Sequence, residues 1–295
     1  MATLKRPPKP LETTQMKALC VLAILLAGPA SAQQPNSPPP EAPPPIQDNS
    51  FLIEEAYNQP VGVVQHISTF ALDRRTRTWV YAFTEEWPVF SQLHQLSYTL
   101  PLERTGPQHG TGLGDIALNY RFQVPTGRRT DLAVAPRLSL LLPTGSVDKD
   151  RGVGAPGFQT NLPVSVAVTK FMVTHFNAGA TYTHLAHNAA GDQSATRGFN
   201  IGQSLIWLAR PTLNFMLELA WDSAEEVLDG GRRDRTEGLV FSPGIRGAIN
   251  FSSGLQVVPG IAVPIGIGPS RGERSVFFYL SLEHPFTSSA PKEKE

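Results

Sequence analysis

The sequence has little cysteine, no excess of either charge sign and, after its first 32 residues, no long apolar run. Its only cysteine, Cys20, lies inside a predicted export signal, so we expect the mature chain to contain none. Lys and Arg number 25, as do Asp and Glu, and this balance offers no electrostatic basis for binding nucleic acid. No stretch after Ala32 reaches the roughly eighteen consecutive apolar residues of a membrane-spanning helix.

The first 32 residues have the organisation of a secretory signal. Lys17 supplies the positive charge, residues 18–27 are an apolar stretch, and an Ala-Ser-Ala cleavage site ends at Ala32. The apolar stretch is about half of what a membrane helix needs, and its position disfavours a core strand or helix. We therefore predict a signal peptide over 1–32, with Met16 as a candidate true start.

The next residues, 33–50, are rich in proline, which favours extended polyproline II and packs no core. We interpret them as a periplasmic linker. The remaining predicted units are a β-barrel over 51–286 and a C-terminal tail over 287–295.

Beyond the linker, apolar residues recur with a period of two. In one segment Leu118, Tyr120 and Phe122 alternate with Asn119 and Arg121. Nine segments share this pattern: 116–124, 132–142, 158–168, 176–182, 199–207, 213–221, 239–249, 255–263 and 276–282. Three more are plausible strands: 62–72, 76–84 and 92–100. Alternating segments of about ten residues are typical of membrane barrels. We predict an all-β, transmembrane antiparallel up-and-down β-barrel of about twelve strands.

A soluble β-sandwich would show the same alternation with its apolar face turned inward. Two features favour the barrel. Aromatic residues stand near predicted strand ends, as in membrane girdles; they are Tyr120, Tyr182, Trp207 and Trp221. The polar faces are rich in Gly, Ser, Asn and Arg, unlike a solvated surface of Lys and Glu.

The predicted connections alternate between short and long, as periplasmic turns and outer loops do. An even strand number places both ends of the barrel on the periplasmic side. The tight connection at 73–76 is the exception, since it should be an outer loop. The last strand finishes on the aromatic Phe286, as in strands recognised by the barrel-assembly machinery.

Two sequence boxes resemble a known family. One runs Gly-Leu-Gly-Asp-Ile-Ala-Leu-Asn-Tyr-Arg over 112–121, and the other Pro-Arg-Leu-Ser-Leu-Leu-Leu-Pro-Thr-Gly over 136–145, followed by Gly-Phe-Gln-Thr-Asn-Leu-Pro over 157–163. Together they resemble the outer-membrane transporters grouped with the MetA pathway of phenol degradation. The resemblance implies transport of hydrophobic compounds and no catalytic residues. A structural explanation also fits, because Asp115 can cap a loop backbone.

Five charged residues are predicted to face the lumen, because charges facing lipid near the midplane cost on the order of 2–4 kcal/mol each. They are Arg121, Arg137, Glu218, Arg246 and Glu283. They either pair and stiffen the wall or select solutes, and the sequence leaves both roles open. Twelve strands enclose a bore between a filled eight-stranded barrel and an open porin. We expect a narrow or obstructed channel, with 48–59 as a candidate plug.

Catalytic and metal sites have weaker support. His66 and Ser68 share one face of a strand, as a membrane lipase would require, but no third member is apparent. His175, His184 and His187 lack the acidic or cysteine partners of a zinc site. We predict no enzyme activity, no cofactor and no metal.

The prediction that follows is a Gram-negative outer-membrane transporter or channel for small molecules, hydrophobic or aromatic compounds among them. The alternatives are a structural or adhesive barrel and, less favoured, a lipase. The expected partners are membrane lipid, lipopolysaccharide, the barrel-assembly machinery and an unidentified solute.

The predicted location is directly testable. The protein should fractionate with the outer membrane and migrate faster on gels before boiling than after it, because a closed barrel resists detergent. Recovery as a soluble periplasmic monomer without detergent would contradict the barrel.

Overall fold

The computed structural model describes residues 49–127 and 131–286. The predicted signal peptide (1–32), the linker up to residue 48 and the tail (287–295) lie outside the described residues. The chain is all-β and forms a closed barrel of twelve antiparallel strands, as the period-two pattern predicts. No helix in the described part of the chain is long and apolar enough to cross a membrane.

The twelve barrel strands follow one another in sequence, and four of them are interrupted. In chain order they are β1 (Val63–Asp73), β2 (Thr78–Val89), β3 (Ser91–Arg104), β4 (Gly112–Leu113 and Ile116–Phe122), β5 (Leu132–Val134 and Arg137–Leu142), β6 (Gly157–Thr169), β7 (Met172–His187), β8 (Gln193–Arg210), β9 (Leu213–Val227), β10 (Arg233–Gly247 and Ile249–Asn250), β11 (Gln256–Ala262 and Ile265–Gly266) and β12 (Ser275–Pro285).

Each strand pairs with its sequence neighbour, and the last pairs with the first. The closing ladder between β12 and β1 sets Val63 opposite Pro285 and Val64 opposite His284. Closure matters because hydrocarbon offers no hydrogen bonds to unpaired backbone groups. The sheet therefore has no edge along the barrel wall.

The outward face of the barrel wall is largely apolar and exposed, and the residues between are buried, as β8 illustrates. Ile201 and Trp207 are 59% and 55% exposed on the outside. The alternating positions Gly202, Ser204 and Ile206 are buried inside. In a membrane the exposed apolar face contacts lipid, so the predicted assignment of faces is confirmed for this strand.

Aromatic residues ring the outside near the strand ends. Tyr120 and Trp207 lie near the ends of β4 and β8, on the side of the short turns, and Tyr182 lies toward the opposite end of β7. All three are at least 40% exposed, consistent with girdles at the two membrane interfaces.

The connections at one end of the barrel are mostly short turns, with 123–131 as the exception, and those at the other end are mostly longer loops, of which the β1–β2 connection over 74–77 is the shortest. There Asp73 Oδ1 accepts hydrogen bonds from the backbone N–H groups of Arg75 (2.8 Å) and Thr76 (2.9 Å). Arg77 has a positive φ of 56°, which completes the reversal. A side-chain-capped turn thus explains the shortest loop on the outer side.

The assignment of faces predicts how substitutions in the wall behave. Leu217→Arg places a cation on the lipid side of β9, four residues in from its short-turn end at Leu213, and should destabilise the refolded barrel by about 2–4 kcal/mol, because the charge meets hydrocarbon. Guanidinium unfolding in phospholipid vesicles measures this loss.

The matched control is Leu113→Arg, since Leu113 is similarly exposed (49% against 47%) but lies at the loop end of β4. It should cost about 0–1 kcal/mol near the interface. Equal losses at both positions would contradict the assigned depth.

Candidate functional site

Residues 49–59 run inside the barrel before the chain enters β1, and we call this segment the plug. Residues 51–59 belong to the predicted barrel unit 51–286 and residues 49–50 to the predicted linker, but the plug joins no strand of the wall. Most of its side chains are buried, and they contact inward-facing residues from both sides of the barrel. The predicted inward folding of 48–59 is confirmed for 49–59, while Asp48 lies outside the described residues.

One buried carboxylate holds the beginning of the plug. Glu218 on β9 is 1% exposed. Its Oε1 accepts hydrogen bonds from three successive backbone N–H groups, those of Phe51 (3.0 Å), Leu52 (2.8 Å) and Ile53 (3.1 Å). A carboxylate bound by convergent N–H groups is stabilised as an anion. Glu218 thus serves as an anchor for the plug backbone.

An apolar patch surrounds Phe51 on the same side of the lumen. The Phe51 ring lies 5.5 Å from the ring of Phe277 and 5.2 Å from that of Tyr279, both inward-facing on β12. The neighbouring wall is Gly260 and Gly244, where an added Cβ would approach Phe51 to 2.5 and 2.8 Å. The glycines make room for the ring.

The middle of the plug inserts Glu54 between two arginines of the wall. Glu54 Oε2 lies 2.9 Å from Arg137 Nε, and Oε1 lies 3.3 Å from Arg121 Nη1. Asn161 Nδ2 donates to Oε2 at 2.8 Å. Asn177 fixes the backbone, because its amide accepts from Glu54 N and donates to Glu54 O. Glu54 therefore neutralises charge that β4 and β5 project inward.

Arg121 also binds the second half of the plug. Its guanidinium donates to Asn58 Oδ1 (2.8 Å) and to the carbonyl oxygens of Glu55 (3.1 Å) and Tyr57. The side chain is 3% exposed and also lies 3.7 Å from Glu55 Oε1. Burial raises the pKa of the Glu55 carboxyl to about 7, while Arg121 acts to lower it. Glu55 precedes the first strand and belongs to the plug.

Glutamines secure the end of the plug. Gln59 N donates to Gln95 Oε1 at 2.8 Å, and Gln59 Nε2 donates to Gln65 Oε1 at 2.6 Å. Gln65 Nε2 in turn donates to Glu283 Oε1 at 2.6 Å. This chain of amides connects the plug to a carboxylate of β12.

A serine and a histidine hold the plug from β6 and β7. Ala56 N donates to Ser165 Oγ at 2.8 Å, and Ser165 Oγ lies 2.7 Å from His175 Nδ1. Ser165, His175 and Ala56 all have a relative exposure of 0%. The pair lies under the plug and is used in binding it.

The structure places all five sequence-predicted charges inside the barrel. Arg121 and Arg137 lie on the Glu54 side, and Glu218 on the Phe51 side. Arg246 is 2% exposed and close enough to Glu218 and Glu283 to interact with both electrostatically. Both carboxylates and two of the three arginines contact the plug or its amide chain. Whether they also select solutes stays a prediction.

The plug residues that pair with these charges were missed as partners. Two adjacent carboxylates, Glu54 and Glu55, stand just before the first strand. The predicted inward charges include three arginines but only two glutamates. This excess of positive charge, together with Glu54 and Glu55, was the signal that could have identified the partners. Phe277 and Tyr279 were also missed. They lie on the same face of β12 as Ser275, Ser281 and Glu283, and that face therefore looks polar in the sequence.

The first sequence box has a structural role. Asp115 Oδ1 accepts from Gly145 N at 2.9 Å, and Oδ2 accepts from Val153 N at 3.0 Å. The predicted capping of a loop backbone by Asp115 is thereby confirmed. Thr144 Oγ1 donates to Gly114 O at 2.7 Å, so the two boxes fasten the loop between β5 and β6.

The other candidates do not assemble into a site for catalysis or zinc. His66 lies against His284 and Glu85, while Ser68 Oγ lies 3.3 Å from Tyr81 Oη. Within residues 49–127 and 131–286, no group of three or more His, Cys, Asp or Glu side chains is arranged to hold a metal.

Comparison with known proteins identifies the fold. No family model matches the sequence, and no curated protein matches it either. The structure is similar to the COG4313 outer membrane channel from Pseudomonas putida F1, with a TM-score of 0.58 and 13% identity over 78% of this chain and 97% of that one. It is also similar to the NanC porin, with a TM-score of 0.50 and 6% identity over 74% and 98% of the two chains.

The protein therefore has the porin-like fold of outer-membrane barrel channels. Identities this low establish the fold alone. The finer resemblance to the transporters grouped with phenol degradation stays a prediction, because no family or sequence match supports it.

The plug contacts predict the effect of one charge change. Glu54→Gln leaves two guanidinium groups with less compensation and should weaken plug docking by about 2–4 kcal/mol, somewhat less than the roughly 3–5 kcal/mol of a fully broken buried pair. The reason for the lower value is that Glu55 and Glu86 remain near Arg121. Hydrogen exchange at Leu52 and Ile53 should then accelerate by about 30-fold or more.

The control is Glu237→Gln, which removes the same charge from an exposed position on β10. It should leave exchange in the plug unchanged. Undisturbed protection in Glu54→Gln would show that the ion pairs do not hold the plug.

Proposed function

We propose that this protein is an outer-membrane channel or transporter for small molecules that opens when the plug leaves the lumen. The observation that carries the proposal is the way the plug is held. Side chains of the wall bind residues 49–59, and no β-ladder joins the plug to the sheet. Such a segment can detach while every backbone pair of the barrel stays intact.

The chemistry of the contacts supports a reversible closure. Glu218, Asn177 and Ser165 bind backbone N–H groups that water would satisfy equally well. The net contribution of a hydrogen bond is modest for this reason, about 0.5–1.5 kcal/mol. The predicted proline-rich linker (33–50) runs into the first two residues of the plug and would offer a route of withdrawal toward the periplasm.

The residues that the plug covers suggest a class of solute. Without Glu54, Arg121 and Arg137 would present two adjacent guanidinium groups, and these bind carboxylates in planar, paired hydrogen bonds. Across the lumen, the absence of Phe51 would uncover Phe277 and Tyr279. An aromatic carboxylate matches both features, which refines the predicted hydrophobic or aromatic solute.

The two alternatives have weaker support. A structural barrel without transport needs a filled lumen, but it does not need a filling that is held mainly by solvent-replaceable contacts. A lipase would need a serine and a histidine in contact at lipid depth. The closest such pair in the site, Ser165 and His175, is enclosed in the lumen, and Ser165 accepts a hydrogen bond from the plug.

A disulfide lock tests the movement of the plug. Ala56 N lies 2.8 Å from Ser165 Oγ, so the two Cα atoms can meet the separation of about 4.4–6.8 Å that a disulfide spans. In the double variant Ala56→Cys with Ser165→Cys, oxidation should abolish conductance in planar bilayers. Dithiothreitol should restore it, since the only native cysteine, Cys20, lies in the predicted signal.

The single variant Ala56→Cys serves as the control and should respond to neither reagent. Equal conductance of the oxidised and reduced double variant would show that plug movement does not open the channel. No conductance under any condition, even after deletion of residues 49–59, would favour the structural barrel.

Solute preference is tested separately in the same preparation. Liposome swelling should be faster with benzoate than with benzamide, its neutral counterpart, because only benzoate can replace Glu54 between Arg121 and Arg137. Equal rates for the two solutes would contradict the proposed carboxylate preference and leave the channel itself intact.

A further inference from the structure

Two histidines meet on the outer face of the barrel where its first and last strands join. The Nε2 atoms of His66 on β1 and His284 on β12 are 3.1 Å apart. His284 lies opposite Val64 in the closing ladder, and His66 is two residues further along β1. Both side chains are half-buried. They lie toward the short-turn end of the barrel, away from the plug and the lumen.

The tautomer of each neutral ring follows from the group that its Nδ1 atom contacts. His284 Nδ1 lies 3.2 Å from the carbonyl oxygen of Pro285, which can only accept a hydrogen bond. His284 Nδ1 therefore carries the proton, and a neutral His284 has a lone pair on Nε2. His66 Nδ1 faces Glu85 Oε2 at 3.5 Å, which favours a proton on that nitrogen as well. Two neutral rings would thus direct lone pairs at each other.

A cation between the two nitrogens removes this repulsion. We propose that His66 and His284 form a two-histidine site for a divalent transition metal ion, with Glu85 orienting His66. Metal-bound histidines commonly donate their second ring N–H to a carboxylate or a backbone carbonyl. His66 and His284 have one partner of each kind.

The distance between the nitrogens fits a shared metal ion. With metal–nitrogen bonds of about 2.0–2.1 Å, two ligands are separated by about 2.9 Å at a right angle and about 3.4 Å at a tetrahedral angle. The observed 3.1 Å lies between these limits. Water completes the coordination, which suits Cu²⁺, Ni²⁺ or Zn²⁺, with Cu²⁺ bound most tightly among them.

Neighbouring aromatic and acidic groups hold His66 in place. The ring of Phe83 stacks on His66 with centroids 6.1 Å apart. Tyr98 Oη donates to Glu85 Oε2 at 2.9 Å, so the carboxylate that faces His66 is itself fixed. A metal here would join β1 to β12 and reinforce the closure of the barrel.

The experiment is a titration of the purified full-length protein, without a histidine tag, with Cu²⁺ in detergent. We expect one saturable site per chain whose electron paramagnetic resonance spectrum shows two nitrogen ligands. His66→Gln and His284→Gln should each abolish this spectrum. Glu85→Gln should weaken the apparent affinity roughly 10- to 100-fold, as loss of a supporting carboxylate does.

Barrel stability supplies a second measurement. Zn²⁺ should raise the unfolding temperature of the parent and leave that of His284→Gln unchanged. The matched control is His94→Gln, since His94 is also half-buried and faces outward on the same side of the membrane, against Tyr120. It should bind Cu²⁺ like the parent.

Three outcomes would overturn the proposal: no Cu²⁺ binding, a spectrum with fewer than two nitrogen ligands, or unchanged binding in His284→Gln. The first would leave a proton as the cation that the two rings share. The spectrum of the parent tests the site without any variant. The proposal can therefore be refuted even if a variant fails to fold.

Discussion

A twelve-stranded barrel must be closed, and the closed ring then encloses space that its own side chains do not fill. Closure is imposed by lipid, where an unpaired backbone N–H or carbonyl group finds no partner. A ring of this size encloses more space than its inward side chains occupy, whereas eight strands would pack solid. The plug is how this chain fills the excess. Its position, the charges of the lumen and the proposed function all depend on that geometry.

The charged residues of the lumen determine how the plug is held. Arg121 and Arg137 cannot face hydrocarbon, and inside the lumen they need partners because uncompensated buried charge is costly. The wall alone supplies Glu86 close to Arg121. Glu54 of the plug supplies the contact that both arginines share. On the opposite side Glu218 reverses the arrangement, since there the wall provides the anion and the plug provides the N–H donors. The plug is therefore complementary to the wall on both sides, which fixes its register.

The same complementarity underlies the proposed reversible closure. In that proposal a solute carboxylate takes the place of Glu54, and an apolar ring takes that of Phe51. The contacts that close the barrel would then resemble those that a solute makes. The proposed metal site differs in kind: it lies on the outer face, its ligands come from the two strands that close the ring, and it would strengthen the wall without touching the lumen.

Much of the fold could be predicted from the sequence, because a strand in lipid must alternate. The period-two segments, the even strand number, the aromatic ends and the general difference between short turns and longer loops follow from local geometry and from membrane thickness. The same alternation also predicts the inward direction of five charged residues: Arg121, Arg137, Glu218, Arg246 and Glu283. The resemblance carried by the boxes around Asp115 pointed to a transport barrel, and the structure supports the barrel.

Contacts between distant parts of the chain could not be predicted in this way. The alternation along β5 places Arg137 in the lumen. It does not predict that Glu54, which lies in no strand, will lie beside Arg137. The alternation along β12 assigns Phe277 and Tyr279 to a polar face, and their aromatic contact with Phe51 arises only when the barrel closes around the plug. His66 and His284 are separated by almost the whole barrel sequence, and closure alone brings them to 3.1 Å. The sequence by itself determined which side of each strand faces lipid, because lipid acts on every residue locally. Only the closed ring determined which residues come into contact in the lumen and between β1 and β12, because those contacts depend on the positions of all the strands.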